Sequence, residues 1–231
     1  MMDYQVRFQN TKIFVDYIER LNKKFGFKNF SFYDNAINLS KPHLESLCKE
    51  IIKRKLKINW ICMARIENLN EKTIKLMSKA GCRRISFGIE TYSPRLIKLI
   101  KKNIDLKDAY EIIKNCKKHG ILTRCFFIYD IPSETFKDLL NTIMFIIKSR
   151  IDIVLFYDLT IYLGAEIYEH PEKYFEHGCV SINEITKQKI RTPKEQFIFM
   201  LKHTFFESIN KIYGLKEIIY GIFYMKKYSV L

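Results

Sequence analysis

Apolar positions in this chain alternate between stretches with a helical period and short continuous runs. Phe14, Tyr17, Ile18, Leu21 and Phe25 recur at the spacing of one helix face, and Gly26 follows where a helix stop belongs. Residues 27–33 are short and aromatic and end on Asp34 and Asn35, the pattern of a strand that runs into a polar loop. Ser40 and Pro42 then supply a cap and a first-turn proline for a helix striped by Leu44, Leu47, Cys48, Ile51 and Ile52. Residues 58–64 read as a second strand, ending on Arg65. Asn70 caps a helix carrying Ile74, Met77 and Ala80, Gly81 stops it, and a strand over 84–88 leads to Glu90.

The same alternation continues. Leu106, Ala109, Tyr110, Ile113 and Cys116 make a helical stripe closed by Gly120, and residues 121–129 form a strand running into Asp130, with Pro132 breaking it. Phe136, Leu139, Leu140, Ile143, Met144 and Ile147 predict the next helix, and residues 151–157 a further strand leading through Asp158 to a loop at Gly164. The strands are continuous apolar runs rather than alternating ones, so both faces should be covered, as in a parallel sheet wrapped by helices. Repeated units with right-handed crossovers leave a barrel or an open doubly wound sheet. Neither GxGxxG nor GxxxxGK[ST] occurs, which removes the phosphate loops of a nucleotide-binding open sheet. Beyond residue 171 the pattern weakens to one long helix marked by Phe197, Met200, Leu201, Phe205 and Ile209, with an aromatic tail through Tyr228 expected to pack back. The expected division is a core over residues 1–170 and a C-terminal helical extension over 171–231.

Composition sharpens the class more than the function. With 231 residues, 48% of them hydrophobic, and only 8 Gly and 5 Pro, the chain has the material for one main α/β domain rather than a turn-rich or disordered one. No apolar stretch is long enough to span a bilayer and the first ten residues lack signal-peptide features, so a cytoplasmic protein without a membrane span is expected. The net charge of +15 invites a nucleic-acid reading, yet the lysines are spread over nearly every helix and no nucleic-acid motif accompanies them; such a partner is not expected. The 6 cysteines, Cys48, Cys62, Cys82, Cys116, Cys125 and Cys179, form no close pair, which argues against a disulfide framework, a zinc knuckle or any metal site in this chain.

Candidate chemistry collects at the strand ends, where loops of parallel βα folds converge. Asp34, Arg65, Glu90, Asp130 and Asp158 all stand there. One such carboxylate more often caps the following helix than binds a ligand. Several carboxylates with one arginine, however, suit a charged small molecule, with carboxylates taking an ammonium or ribose hydroxyls and Arg65 a carboxylate.

The strings FSFYDN (30–35), INWICMAR (58–65), AGCRRISFGIET (80–91), DIPSET (130–135) and YLGAEIY (162–168) together resemble the radical S-adenosylmethionine family, and are similar to the branch whose members often carry an upstream cobalamin-binding domain. The resemblance implies a partial (β/α) barrel with parallel strands, TIM-barrel-like with its first strand missing, plus C-terminal helices. It points to Asp34, Arg65, Glu90 and Thr91 as residues on the S-adenosylmethionine side, while Pro132, Glu134 and Thr135 fall on a loop usually written GxPGET, where a structural role is expected for Glu134 and Thr135. Asp130 and Ser133 stand where that loop commonly has glycine.

The larger departure is at the front. The family's CxxxCxxC, which supplies three thiolates to a [4Fe-4S] cluster, occurs nowhere in these 231 residues, and Cys62, the one thiol near a functional strand end, reads as a small core residue. The expected function is therefore that of the C-terminal portion of a radical S-adenosylmethionine enzyme, with S-adenosylmethionine as cofactor, the cluster supplied by a missing segment or an upstream partner chain, and cobalamin in the complete system. Catalysis by this chain alone is not expected, and no catalytic residue is assigned. The competing expectations are a non-catalytic relic that binds a small molecule or RNA, and a gene fragment that does not fold stably. Neither substrate nor reaction type is readable.

Overall fold

The computed structural model describes residues 6–162, 164–174, 198 and 200–214. Its elements are α1 (Thr11–Phe25), β1 (Asn29–Phe32), α2 (Lys41–Lys53), β2 (Asn59–Met63), α3 (Glu71–Lys79), β3 (Cys82–Glu90), α4 (Pro94–Leu99), α5 (Leu106–Lys118), β4 (Leu122–Tyr129), α6 (Phe136–Ser149), β5 (Ile153–Asp158) and α7 (Glu166–Glu169), followed by a 3-10 turn (Pro171–Lys173) and a helix, α8, over 200–214. The strands form one five-stranded sheet in the order β1-β2-β3-β4-β5, with β2 parallel to both β1 and β3. The expected α/β class with a parallel sheet is thus what the chain has. Among the described residues no helix is long and apolar enough to cross a membrane.

By compactness the residues group into two units, Met1–Phe87 with Lys107–Arg124, and Gly88–Leu106 with Cys125–Leu231. The first unit is built on the expected periodicities. Asn10 caps α1 through the N–H groups of Lys12 and Ile13, and Gly26 ends it in the left-handed conformation, its N–H donating to Asn22. Ser40 and Asn70 cap α2 and α3 in the same way. Arg54, at the end of α2, draws Asp16, Glu19 and Glu50 around one guanidinium and so ties α2 to α1. The core centres on Trp60, fully buried, its ring 5.2 Å from Phe32 and its indole N–H donating 2.8 Å to the Ala80 carbonyl.

In the second unit Phe127, Phe145 and Phe156 pack together, and Phe206 of α8 stacks on Phe156 (4.2 Å) and Tyr129 (4.8 Å). The Asn210 side chain meets the backbone of β5 directly: the Phe156 N–H donates 2.7 Å to its Oδ1, and its Nδ2 donates 2.7 Å to the Phe156 carbonyl. The helix expected around residues 197–209 is present as α8 over 200–214; the aromatic tail through Tyr228, Phe197 and Cys179 lie outside the described residues.

Candidate functional site

In the first unit, Asp34 and Arg65 follow the ends of β1 and β2, and both side chains are exposed. The two loops are stitched together by backbone. The Ile37 N–H donates 3.0 Å to the Met63 carbonyl, and Asn38, fully buried, accepts from the Arg65 N–H (2.8 Å) while donating to the Arg65 carbonyl (2.7 Å). Arg65 is therefore fixed at its root and free at its tip; among the described residues its guanidinium makes no ion pair. Asp34 borders a cavity of about 160 Å³ that also meets Arg7, Asn35, His43, Phe8 and Phe14. Removing the Asn38 amide strands two backbone groups of the Arg65 turn, so Asn38→Ala is expected to lose about 2 kcal/mol, measured by chemical denaturation.

In the second unit the segment leaving β3 is anchored residue by residue to α6. The Thr91 and Thr142 hydroxyls lie 3.4 Å apart, the Tyr92 N–H donates 2.9 Å to the Thr142 hydroxyl, and the Tyr92 ring stacks 4.1 Å from Phe145. Ser93 donates 2.5 Å to Asp138, and Arg95 donates 2.7 Å to the other oxygen of the same carboxylate. Asp138 also accepts from the N–H and hydroxyl of Thr135, closing a capping box at the start of α6. Burial works against ionisation of Asp138, but the Ser93, Thr135 and Arg95 donors outweigh it and hold the carboxyl well below the usual carboxylate range.

Glu90 ends β3 with φ 69, a left-handed conformation that non-glycine residues adopt at a cost and that clusters at functional sites. Its carboxylate folds back over Gly88 and receives a 2.6 Å hydrogen bond from the Lys102 ammonium. A Cβ at Gly88 would lie 2.5 Å from Glu90 Oε1 and 3.0 Å from Lys102 Nζ, so a side chain here would displace the tips of these two flexible side chains. Thr91, beside it, is buried with its hydroxyl toward α6.

The loop after β4 carries both departures from glycine, and both residues have positive φ: Asp130 at 64 and Ser133 at 61. The backbone keeps the conformation glycine would serve, held by side chains. The Asp130 N–H donates 3.0 Å to Glu134, and Arg95 donates to both the hydroxyl and the carbonyl of Ser133. Thr135 caps α6 as expected, whereas Glu134 is almost wholly enclosed, its carboxylate paired with Lys202 of α8 at 3.0 Å. Burial raises the Glu134 pKa and Lys202 opposes the rise. Asp158 closes β5 and is half-buried.

A family model described as the Radical SAM superfamily matches residues 4–146, which covers every strand end from Asp34 to Asp130. This chain belongs to the radical S-adenosylmethionine superfamily. Among curated relatives it is 31% identical over 156 residues to an uncharacterised methyltransferase of Pyrococcus horikoshii, covering 68% of this chain and 34% of that protein. It is 26% identical to the bacteriochlorophyllide d C-8(2)-methyltransferase of Chlorobaculum tepidum, covering 95% of this chain and 51% of the relative. The chain thus spans between a third and a half of the length of these relatives. Among solved structures it resembles the radical S-adenosylmethionine methyltransferase TsrM of Kitasatospora setae, determined with cobalamin and a [4Fe-4S] cluster bound, with a TM-score of 0.60 at 20% identity over 65% of this chain and 31% of that one. The coproporphyrinogen III oxidase HemN of Escherichia coli follows with a TM-score of 0.56 at 12% identity, covering 89% and 48%. These likenesses are of fold, and they bear out the partial (β/α)-barrel class.

The two groups that the superfamily implies fare differently against the residues present. The described cysteines are all buried, and burial pushes the Cys48 thiol up to about 12 and the Cys82 thiol well above its ordinary value, opposite to what a thiolate ligand needs. Among the described residues no group of three or more His, Cys, Asp or Glu is placed to hold a metal ion, so these residues do not fit the cluster. S-adenosylmethionine fits better. Arg65 presents an exposed guanidinium at its strand end, Asp34 an exposed carboxylate beside a cavity, and Glu90 a carboxylate of which Oε1 is taken by the Lys102 ammonium.

Sequence reasoning did not find Lys102, Asn38, Asn210 or the Ser93–Arg95–Asp138 cluster. The one local signal available was Ser93–Pro94, a cap with a proline in the first turn, which marks α4.

Proposed function

We propose that the chain is the C-terminal part of the core of a radical S-adenosylmethionine enzyme, that Asp34, Arg65, Glu90 and Thr91 stand on its S-adenosylmethionine side, and that the cluster thiolates come from a segment or partner chain outside these 231 residues. The observation that carries this reading is Glu90, an ionisable residue kept in a costly left-handed conformation at a strand end, on a segment braced by α6 and within the matched family region. Such bracing keeps a binding carboxylate in one geometry. Glu90 offers hydrogen-bond acceptors, Arg65 an exposed guanidinium for a carboxylate, and Asp34 a second carboxylate beside a cavity. Thr91, with its hydroxyl engaged by Thr142, serves by fixing the turn on which Glu90 sits. When bound, S-adenosylmethionine supplies the group transferred or the adenosyl moiety. Because the relatives named above include methyltransferases, methyl transfer is the reaction class proposed for the complete system, with cobalamin as a further cofactor and the cytoplasm as its compartment.

Anaerobic reconstitution with iron and sulfide tests the division of labour. The purified chain is expected to show no cluster absorbance, and to gain it only when combined with a polypeptide that carries CxxxCxxC. A cluster assembled on the chain alone would contradict the proposal.

A further inference from the structure

We propose that the outward face of α6 is a lipid contact, by which the protein lies against an anionic membrane surface without crossing it. This face belongs to the second unit, carries none of the ligand-side residues, and stands independently of their assignment.

The apolar stripe that marks α6 in the sequence does not face the body of its unit. Phe136, Leu140, Met144 and Ile147 are exposed, by 80%, 46%, 43% and 62%. The buried residues of the helix are Asp138, Leu139, Thr142, Phe145 and Ser149, three of them polar. At helical spacing the four exposed apolar residues fall in one sector, opposite the one that holds Asp138, Thr142, Phe145 and Ser149. The anchoring of the segment after β3 is what turns the helix this way. Asp138 takes the hydrogen bonds of Ser93, Arg95 and Thr135, Thr142 takes that of the Tyr92 N–H, and the Tyr92 ring stacks on Phe145, so the polar side points inward. The apolar side is left in water, and a contiguous exposed apolar patch marks a contact site.

Charge selects what covers it. The exposed charged residues of α6 and its C-cap are Lys137, Lys148 and Arg150, while the one carboxylate of the helix, Asp138, is buried. A second copy of this chain would bring the same basic residues to the contact, with no carboxylate of α6 to offset them. An anionic bilayer suits both features, because its acyl boundary takes up the apolar side chains and its headgroups meet the lysines, whose stems run along apolar surface. A lipid surface also accepts a single convex helix face without a matching groove. The net charge of +15, which no other part of the reading uses, draws the whole chain toward the same surface. α1 supplies the contrast: Ile13 and Tyr17 are exposed there too, but the carboxylate of Asp16 is exposed on the same helix.

The test is co-sedimentation of the full chain with vesicles of phosphatidylcholine mixed with phosphatidylserine, and with vesicles of phosphatidylcholine alone. The wild-type chain is expected to bind the anionic vesicles at least about tenfold more strongly. Phe136→Ser combined with Ile147→Ser is expected to weaken that binding by about tenfold or more, with an unchanged denaturation midpoint because both side chains point to solvent. Lys137→Glu combined with Lys148→Glu is expected to remove most of the preference for anionic lipid, whereas Ile13→Ser combined with Tyr17→Ser should bind as the wild type does. Phe136→Trp reads the contact directly: brominated acyl chains should quench the new indole, and Trp60, fully buried in the first unit, should be untouched in the wild type. Wild-type chain that stays in the supernatant would overturn the proposal. So would an α6 serine pair that binds as well as the wild type, since the attraction then comes from net charge alone, or an α1 serine pair that loses binding to the same degree. A dimer that the α6 serine pair dissolves, with no binding to vesicles, would give the face to a second copy and overturn it as well.

Discussion

Replacing Asp138 with alanine is expected to destabilise the chain by about 3–4 kcal/mol, because it strands several donors at once. Ser93, Arg95 and both donors of Thr135 converge on this one carboxylate, and it caps α6 while holding the entry to α4. At the size of this chain such a loss corresponds to roughly 10 °C in the melting midpoint. Asp138→Asn, which keeps the shape and one acceptor, should fall between alanine and wild type. The pH dependence follows from the lowered pKa. In the unfolded chain Asp138 titrates near ~3.9, so its contribution is complete above that value and is lost as the pH falls through the lower folded value. The gap between wild type and Asp138→Ala is therefore constant from about pH 8 to 5 and narrows only under strong acid. A melting temperature for Asp138→Ala within the scatter of the wild type would refute the role. Since Thr91, Tyr92 and Ser93 hang on the same face of α6, ligand affinity at Glu90 should fall with it.

Gly81→Ala should be at least as damaging, about 4 kcal/mol, through two additive causes. The residue has φ 94, a region closed to alanine without strain, and an added Cβ would overlap the Ile58 carbonyl oxygen at a separation far below 3.0 Å. That oxygen is backbone and has nowhere to go, because the neighbouring Trp60 N–H donates to the Gly81 carbonyl at 2.9 Å and the Trp60 indole to Ala80. Urea denaturation would show the effect as a lowered midpoint with an unchanged slope. A variant as stable as the wild type would mean the α3–β3 turn is not held as described.

The contrast between Gly81 and Lys102 shows what a sequence can and cannot disclose. Gly81 was legible as a helix stop because the period of apolar residues ended there; its second duty, letting β2 approach the turn, has no periodic signature. Strands, most helices, and the caps at Ser40 and Asn70 followed from spacing and local chemistry, which act within a few residues. Asp130 and Ser133 could be flagged as departures from glycine, but the contacts that accompany positive φ there are Glu134, four residues on in the same loop, and Arg95, which reaches Ser133 from 38 residues away. Asn38 and Asn210 read as ordinary polar residues in a sequence. Their two-way bonding to backbone 27 and 54 residues away emerges only when the loops and α8 are in place. Contacts set by tertiary position leave no trace in a hydrophobic period.

Asn210 has a consequence for how copies of this sheet could join. A carboxamide carries the same donor and acceptor as a peptide group, and at Phe156 it satisfies both backbone groups that β5 would offer to a template strand. With β5 stoppered at its middle, a strand from another copy could add along this edge only by first displacing Asn210 from Phe156, so one side-chain amide guards it.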